Sequence, residues 1–201
     1  MNLTDFLVTR GLNSFCEGYT QEIPNQVKDL IKLTKDSNIH VMEIGFNAGH
    51  SAEVFLQNNP SLTLTSFDLG GFDHIPIAKE YIDITYPNRH TLILGDSTIT
   101  IPKYINDNPG KIFDVIFIDG GHQYPVSMAD LENCKKLANN ETIVIMDDTI
   151  YTDGWHAPWT IGPTQAWIVH RNYGTITEID TADYKPGRGM SWGKYTLDEI
   201  T

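Results

Sequence analysis

Two cysteines, Cys16 and Cys134, are all the thiol the 201-residue chain carries. They have no metal-ligand spacing and suggest no disulfide framework. No apolar run approaches the roughly 20 residues a membrane span needs, so no membrane partner is expected. The opening Met1-Asn-Leu-Thr-Asp-Phe6 lacks a basic stretch followed by an apolar one, so it does not resemble a secretory signal. A reducing, cytoplasmic setting is the simplest expectation. Positive charge is also scarce, with 14 Lys and Arg against 26 Asp and Glu and a net charge of −12. The basic residues are scattered, which argues against nucleic acid as a partner. A compact cation, a sulfonium or a metal ion, suits this balance better, although surface carboxylates also serve solubility alone. No repeat, low-complexity tract or linker interrupts the chain.

What is present is a pattern of alternation. The first forty residues read as helical: Pro24 can open a helix, and Val27, Leu30, Ile31 and Thr34 follow at helical spacing. Residues 1–38 are therefore expected to form a helical cap packed on a single domain of residues 39–201. From His40 on, short apolar strands alternate with helical stretches. Strands are expected at His40–Gly45, Leu62–Asp68, Thr91–Gly95, Phe113–Asp119 and Thr142–Asp147. Helices are expected at Ser51–Gln57, about Ile77–Ile82, Thr98–Asn106 and Val126–Leu137. This order indicates a parallel sheet covered on both faces. The tail differs: Pro163–Val169 reads as a helix, followed by two strands at Gly174–Ile179 and Gly189–Tyr195, which suit an antiparallel edge.

In such sheets ligands bind outside the carboxyl ends of the strands. Here those ends are acidic: Glu43, Asp68, Asp96, Asp119 and the pair Asp147-Asp148. One such carboxylate would be an ordinary helix cap; a core does not call for one at every strand end. The first loop, Glu43-Ile-Gly45-Phe-Asn47-Ala-Gly49-His50, allows a tight turn and close approach of a ligand to backbone. Its Gly-x-x-x-Gly spacing differs from the Gly-x-Gly-x-x-Gly of dinucleotide sites, which disfavours an NAD enzyme.

The segment Val41–Gly49 resembles the first motif of class I S-adenosylmethionine-dependent methyltransferases, and the match extends from about Val41 to Thr149. The resemblance implies a Rossmann-like, doubly wound, mostly parallel seven-stranded sheet with an antiparallel C-terminal edge strand. It implies that Glu43, Gly45, Asn47 and Gly49 form the cofactor loop and that Asp68 binds the ribose hydroxyls. It also implies that Gly95-Asp96-Ser97 contacts adenine and that Asp119 borders the cofactor. Ile118-Asp-Gly-Gly-His-Gln-Tyr124 with Ile145-Met-Asp-Asp-Thr149 is similar to the macrocin O-methyltransferase-like group, also called Methyltransferase-24, and more distantly to catechol O-methyltransferase. In those relatives the residues matching Asp119, Asp147 and Asp148 hold a divalent metal, and oxygen ligands of this kind suit Mg²⁺. His122 stands where the catechol enzymes have a lysine base; with an ordinary pKa near 6.5 it could accept a proton there, or it could cap the helix beginning near Tyr124. His50 is expected near the cofactor's carboxylate. Trp155, His156 and Trp159 suggest a recognition loop.

The expected reaction is methyl transfer from S-adenosylmethionine to the oxygen of a small hydroxylated acceptor, a sugar or a phenolic natural product, with Mg²⁺ or another divalent metal assisting. A metal-independent methyltransferase and a catalytically silent S-adenosylmethionine-binding module are the alternatives. A homo-oligomer is left open.

Overall fold

Val41, Met42 and Ile44 are all buried, as a strand covered on both faces requires. The computed structural model describes residues 1–12, 20–150 and 157–197. Within them lies a seven-stranded sheet in the order β3 (His90–Leu94), β2 (Thr63–Asp68), β1 (His40–Ile44), β4 (Val115–Ile118), β5 (Ile143–Asp147), β7 (Arg188–Tyr195), β6 (Ile176–Lys185). Contacts divide the chain into two compact units, Met1–Asp96 and Ser97–Thr201.

The first unit contains helices α1 (Leu3–Thr9), α2 (Pro24–Leu33), α3 (His50–Asn58) and α4 (His74–Thr85), and strands β1 (His40–Ile44), β2 (Thr63–Asp68) and β3 (His90–Leu94). The strands run parallel, with Glu43 opposite Ser66 and Phe67 opposite Ile93. Ala52, Phe55 and Leu56 turn inward from α3, as their spacing predicts. Asn2 caps α1, its side chain accepting from the Asp5 N–H at 2.8 Å. Buried Glu53 ties this helix down: its Oε1 accepts from Leu3 N at 3.1 Å and from the Tyr81 hydroxyl at 2.9 Å.

The second unit contains α5 (Ser97–Asp107), β4 (Val115–Ile118), α6 (Tyr124–Cys134), β5 (Ile143–Asp147), α7 (Pro158–Asn172), β6 (Ile176–Lys185) and β7 (Arg188–Tyr195). β4 and β5 pair in parallel. β7 pairs antiparallel with β5 on one side and with β6 on the other, so the penultimate strand takes the edge and the last strand is interior. This follows burial. β7 is covered along nearly its whole length, whereas β6 alternates and shows polar residues to solvent. Among the described residues no helix is long and apolar enough to cross a membrane.

Candidate functional site

The loop between β1 and α3 turns through three left-handed residues, Gly45 (φ 97°), Asn47 (φ 46°) and Gly49 (φ 79°). Glycine takes such angles freely, and asparagine is among the few residues with a Cβ that tolerate them. A Cβ on Gly49 would also stand 3.0 Å from the Phe46 ring. Gly49 is thus fixed as glycine by both its backbone angle and the Phe46 ring, while Gly45 and Asn47 are the partly exposed residues of the turn.

Four groups frame this loop. Glu43 supports it from beneath: it is 0% exposed, and its two carboxyl oxygens accept from Ser51 Oγ and, at 2.5 Å, from Ser66 Oγ. Burial pushes its pKa up to about 7. The Ser66 hydroxyl also lies 3.0 Å from His90 Nε2. At the end of β2, half-buried Asp68 accepts from Asn47 N through Oδ2 and from Gly70 N through Oδ1, both at 2.8 Å. Each carboxylate oxygen has a second lone pair, so Asp68 can hold both loops and still accept from a diol. Gly95 N donates to Asp68 O at 2.8 Å, bringing the turn after β3 alongside, where Asp96 is exposed and Ser97 opens α5. His50, buried in the first turn of α3, is held by burial at about 4 and so stays neutral.

One member of this cluster has no signature in the sequence. His74, the first residue of α4, places Nε2 at 2.6 Å from Asn47 Oδ1 and stacks on Phe72 with ring centres 5.1 Å apart. Only the start of α4, three residues earlier than the apolar spacing suggests, could have pointed to it. The open cavity of about 520 Å³ lined by Gly70, Phe72, Lys79 and Leu94 includes neither Asp68 nor Asn47. The candidate ligand seat in this unit is therefore defined by its hydrogen-bonding groups.

In the second unit the structure gathers Asp119, His122 and Asp148. One ligand atom from each lies within 4.8 Å of the others, and His122 Nε2 stands 3.1 Å from Asp148 Oδ2. Two carboxylates and an imidazole make a donor set that fits a divalent cation, with Mn²⁺ matching the mixed oxygen and nitrogen ligands better than Mg²⁺. Asp147 does not join this group. Its buried carboxylate lies 3.9 Å from Arg188 Nη2, and Arg188 Nε lies 3.9 Å from Asp148 Oδ1. Asp148 itself is left-handed at φ 56°, the kind of backbone strain that surrounding structure must hold in place.

The surroundings do hold it. Thr149 N donates to Gly189 O at 3.2 Å, Thr149 Oγ1 meets Ser191 Oγ at 2.7 Å, and Ile150 N donates to Thr164 Oγ1 at 3.0 Å. Gly162 of α7 packs directly on the His122 loop: a Cβ there would stand 2.2 Å from His122 O. Trp159 is partly exposed, its indole donating to Gly187 O at 3.1 Å. Trp155 and His156 lie outside the described residues.

A mostly parallel sheet with ligand groups at its strand ends is the Rossmann-like methyltransferase architecture. The family model described as a methyltransferase domain matches residues 42–149, more than half of the sequence, and the chain belongs to that family. None of the curated proteins matches the sequence. Solved structures share the fold. The Bacillus cereus O-methyltransferase in complex with SAH aligns at 17% identity and TM-score 0.71, over 96% of this chain and 90% of its own. TomG of Streptomyces achromogenes, an O-methyltransferase of tomaymycin synthesis solved with SAM, aligns at 18% and 0.71, over 97% and 88%. CalS11, a TDP-rhamnose 3'-O-methyltransferase of calicheamicin biosynthesis, aligns at 18% and 0.63, over 94% and 85%.

Proposed function

We propose that the protein is an S-adenosylmethionine-dependent O-methyltransferase that acts on a small hydroxylated acceptor with help from a divalent cation. The observation that carries this reading is the Asp119–His122–Asp148 group, two carboxylates and an imidazole gathered closely enough to hold one cation. The cofactor side is supported by Asp68 at the end of β2 and by the left-handed turn at Gly45–Gly49. Small-molecule acceptors are supported by the part of TomG in tomaymycin synthesis and by the TDP-rhamnose methylation of CalS11.

In this reading Asp68 accepts hydrogen bonds from the ribose hydroxyls while the loop backbone excludes water from one side of the ligand. Asp119, His122 and Asp148 would hold the ion, and Arg188, 3.9 Å from Asp147 and from Asp148, offsets part of the charge of those two carboxylates. When bound, a divalent ion lowers the pKa of an acceptor hydroxyl and orients it. Displacement at a methyl group asks little more of the protein than alignment and a deprotonated acceptor.

A second reading rests on the 3.1 Å contact between His122 and Asp148. A carboxylate that orients an imidazole makes it a general base without any metal. In that case Asp148 accepts from His122 Nε2–H, and Nδ1 is the nitrogen that takes the acceptor proton.

Calorimetry with S-adenosylhomocysteine tests the cofactor. Binding is expected, and Asp68→Ala should weaken it by about tenfold or more, the value of a hydrogen bond to a charged group. No heat at millimolar ligand would overturn the reading. Methyl transfer to a panel of phenols and sugars, with and without EDTA, separates the two mechanisms. Loss in EDTA with recovery on adding Mn²⁺ or Mg²⁺ supports the cation. Full activity in EDTA that His122→Ala abolishes supports the histidine base.

A further inference from the structure

Asn47 is the one residue of the β1–α3 turn that bears a Cβ at a left-handed angle (φ 46°), and two contacts hold it there. Its backbone N–H donates to Asp68 Oδ2 at 2.8 Å, and its side-chain Oδ1 accepts from His74 Nε2 at 2.6 Å. The three residues come from three elements: the turn after β1, the end of β2 and the start of α4. Gly70 N takes the other oxygen of Asp68 at 2.8 Å. The carboxylate is therefore gripped from both sides, and one grip runs through Asn47 to His74. His74 in turn is steadied by Phe72, stacked on it at 5.1 Å with the rings within 10° of parallel.

We propose that His74 is a positioning residue of the cofactor seat: by holding Asn47 in its left-handed conformation, it aims the Asp68 carboxylate at the ribose diol. This rests on the reading of that seat as the S-adenosylmethionine site. An L-residue at φ 46° lies outside its favoured conformations, so the turn depends on the contacts that hold it there. Without the His74 contact the turn relaxes, the Asn47 N–H swings away, and Asp68, held then by Gly70 N at one oxygen, can pivot about that bond. A preorganised acceptor binds a diol better than one that must first be ordered. The Nε2–H of His74 supplies the restraint, and the Phe72 stack fixes the ring that carries it.

The logic is that of a double-mutant cycle. His74→Phe keeps a ring to stack on Phe72 and removes the donor. It should weaken S-adenosylhomocysteine binding by about three- to tenfold, the worth of one net hydrogen bond, while the ligand-free melting temperature stays close to that of the unaltered protein. His74→Gln retains an N–H donor and should recover most of the affinity. Asn47→Gly accepts the left-handed angle without strain and offers His74 no side-chain acceptor. Adding His74→Phe to it should therefore change affinity no further.

Calorimetry on the full chain reads all four variants and the unaltered protein. Unchanged affinity in His74→Phe overturns the proposal. So does a loss that persists undiminished in the Asn47→Gly background, because His74 would then act by another route. A loss of affinity that only tracks a fall in ligand-free melting temperature assigns His74 to folding and also overturns it. If the unaltered protein binds no S-adenosylhomocysteine, the cofactor reading itself fails and this inference falls with it.

Discussion

Burial holds the Glu43 carboxyl at about 7 against an ordinary 4.5, and a raised acid has a definite effect on stability. Between those two values the folded chain binds a proton that the unfolded chain has released. Stability is therefore full below pH ~4.5 and falls as pH rises through 7. Glu43→Gln removes the titrating group while keeping a partner for Ser51 and Ser66. Urea unfolding should show the variant gaining on the unaltered protein between pH 5 and pH 8, by up to about 3 kcal/mol. A difference that does not change with pH would mean that Glu43 is already ionised in the folded chain. The acids themselves were legible, because a carboxylate at each strand end stands out in a linear sequence. Their division of labour was not. Asp147 and Asp148 look equivalent on paper, yet β5 ends at Asp147 and Asp148 turns left-handed just beyond it. Both lie 3.9 Å from Arg188, but Asp148 is the one that also meets His122, at 3.1 Å. The loop that carries His122 to the acidic group packs against Gly162, a contact that spans forty residues of sequence.

At the scale of elements, the alternation of strands and helices was readable because buried parallel strands are short unbroken apolar runs. What escaped was local. α4 opens at His74, three residues before the expected start, with buried Ile75 carrying its apolar spacing back to the first turn, and β6 runs on to Lys185 through polar positions that no periodicity marks as strand. Two glycines show how packing rather than propensity sets some positions. Gly174 takes φ 71° with nothing within 4 Å of a would-be Cβ, so Gly174→Ala carries only a conformational cost of about 1 kcal/mol. Gly162→Ala must instead push the new methyl into His122 O at 2.2 Å and Tyr124 N at 2.6 Å. It should lower the melting temperature by several degrees more than Gly174→Ala and weaken Mn²⁺ binding, read by electron paramagnetic resonance. Equal shifts for the two variants would mean that α7 moves aside freely and that the His122 loop does not depend on it.

For the whole molecule, the buried histidines oppose Glu43. His50 and His90 are each held at about 4 by burial, below an ordinary 6.5. Between these values the folded chain binds fewer protons than the unfolded one, so their contribution is complete above pH ~6.5 and is lost as pH falls toward 4. Two histidines outweigh one carboxyl over most of that range. Melting temperature should rise from pH 4.5 to about 6.5 and then level or turn down slightly toward pH 7.5. His90→Phe should flatten the acid limb; an unchanged limb would place the acid sensitivity elsewhere. The order of the sheet has a further effect, one that belongs to synthesis. β5 is made well before β7, its neighbour on that side, and β6 emerges between them with no strand yet in place to pair with. On the ribosome, the nascent chain must therefore carry β5 with an open, apolar edge until the residues through Tyr195 have been added. During that interval the edge is a template for any other unpaired strand nearby. A stalled translation product ending before Arg188 would consequently be captured by chaperones or lost to aggregates, whereas one reaching Tyr195 can seal the edge with its own last strand.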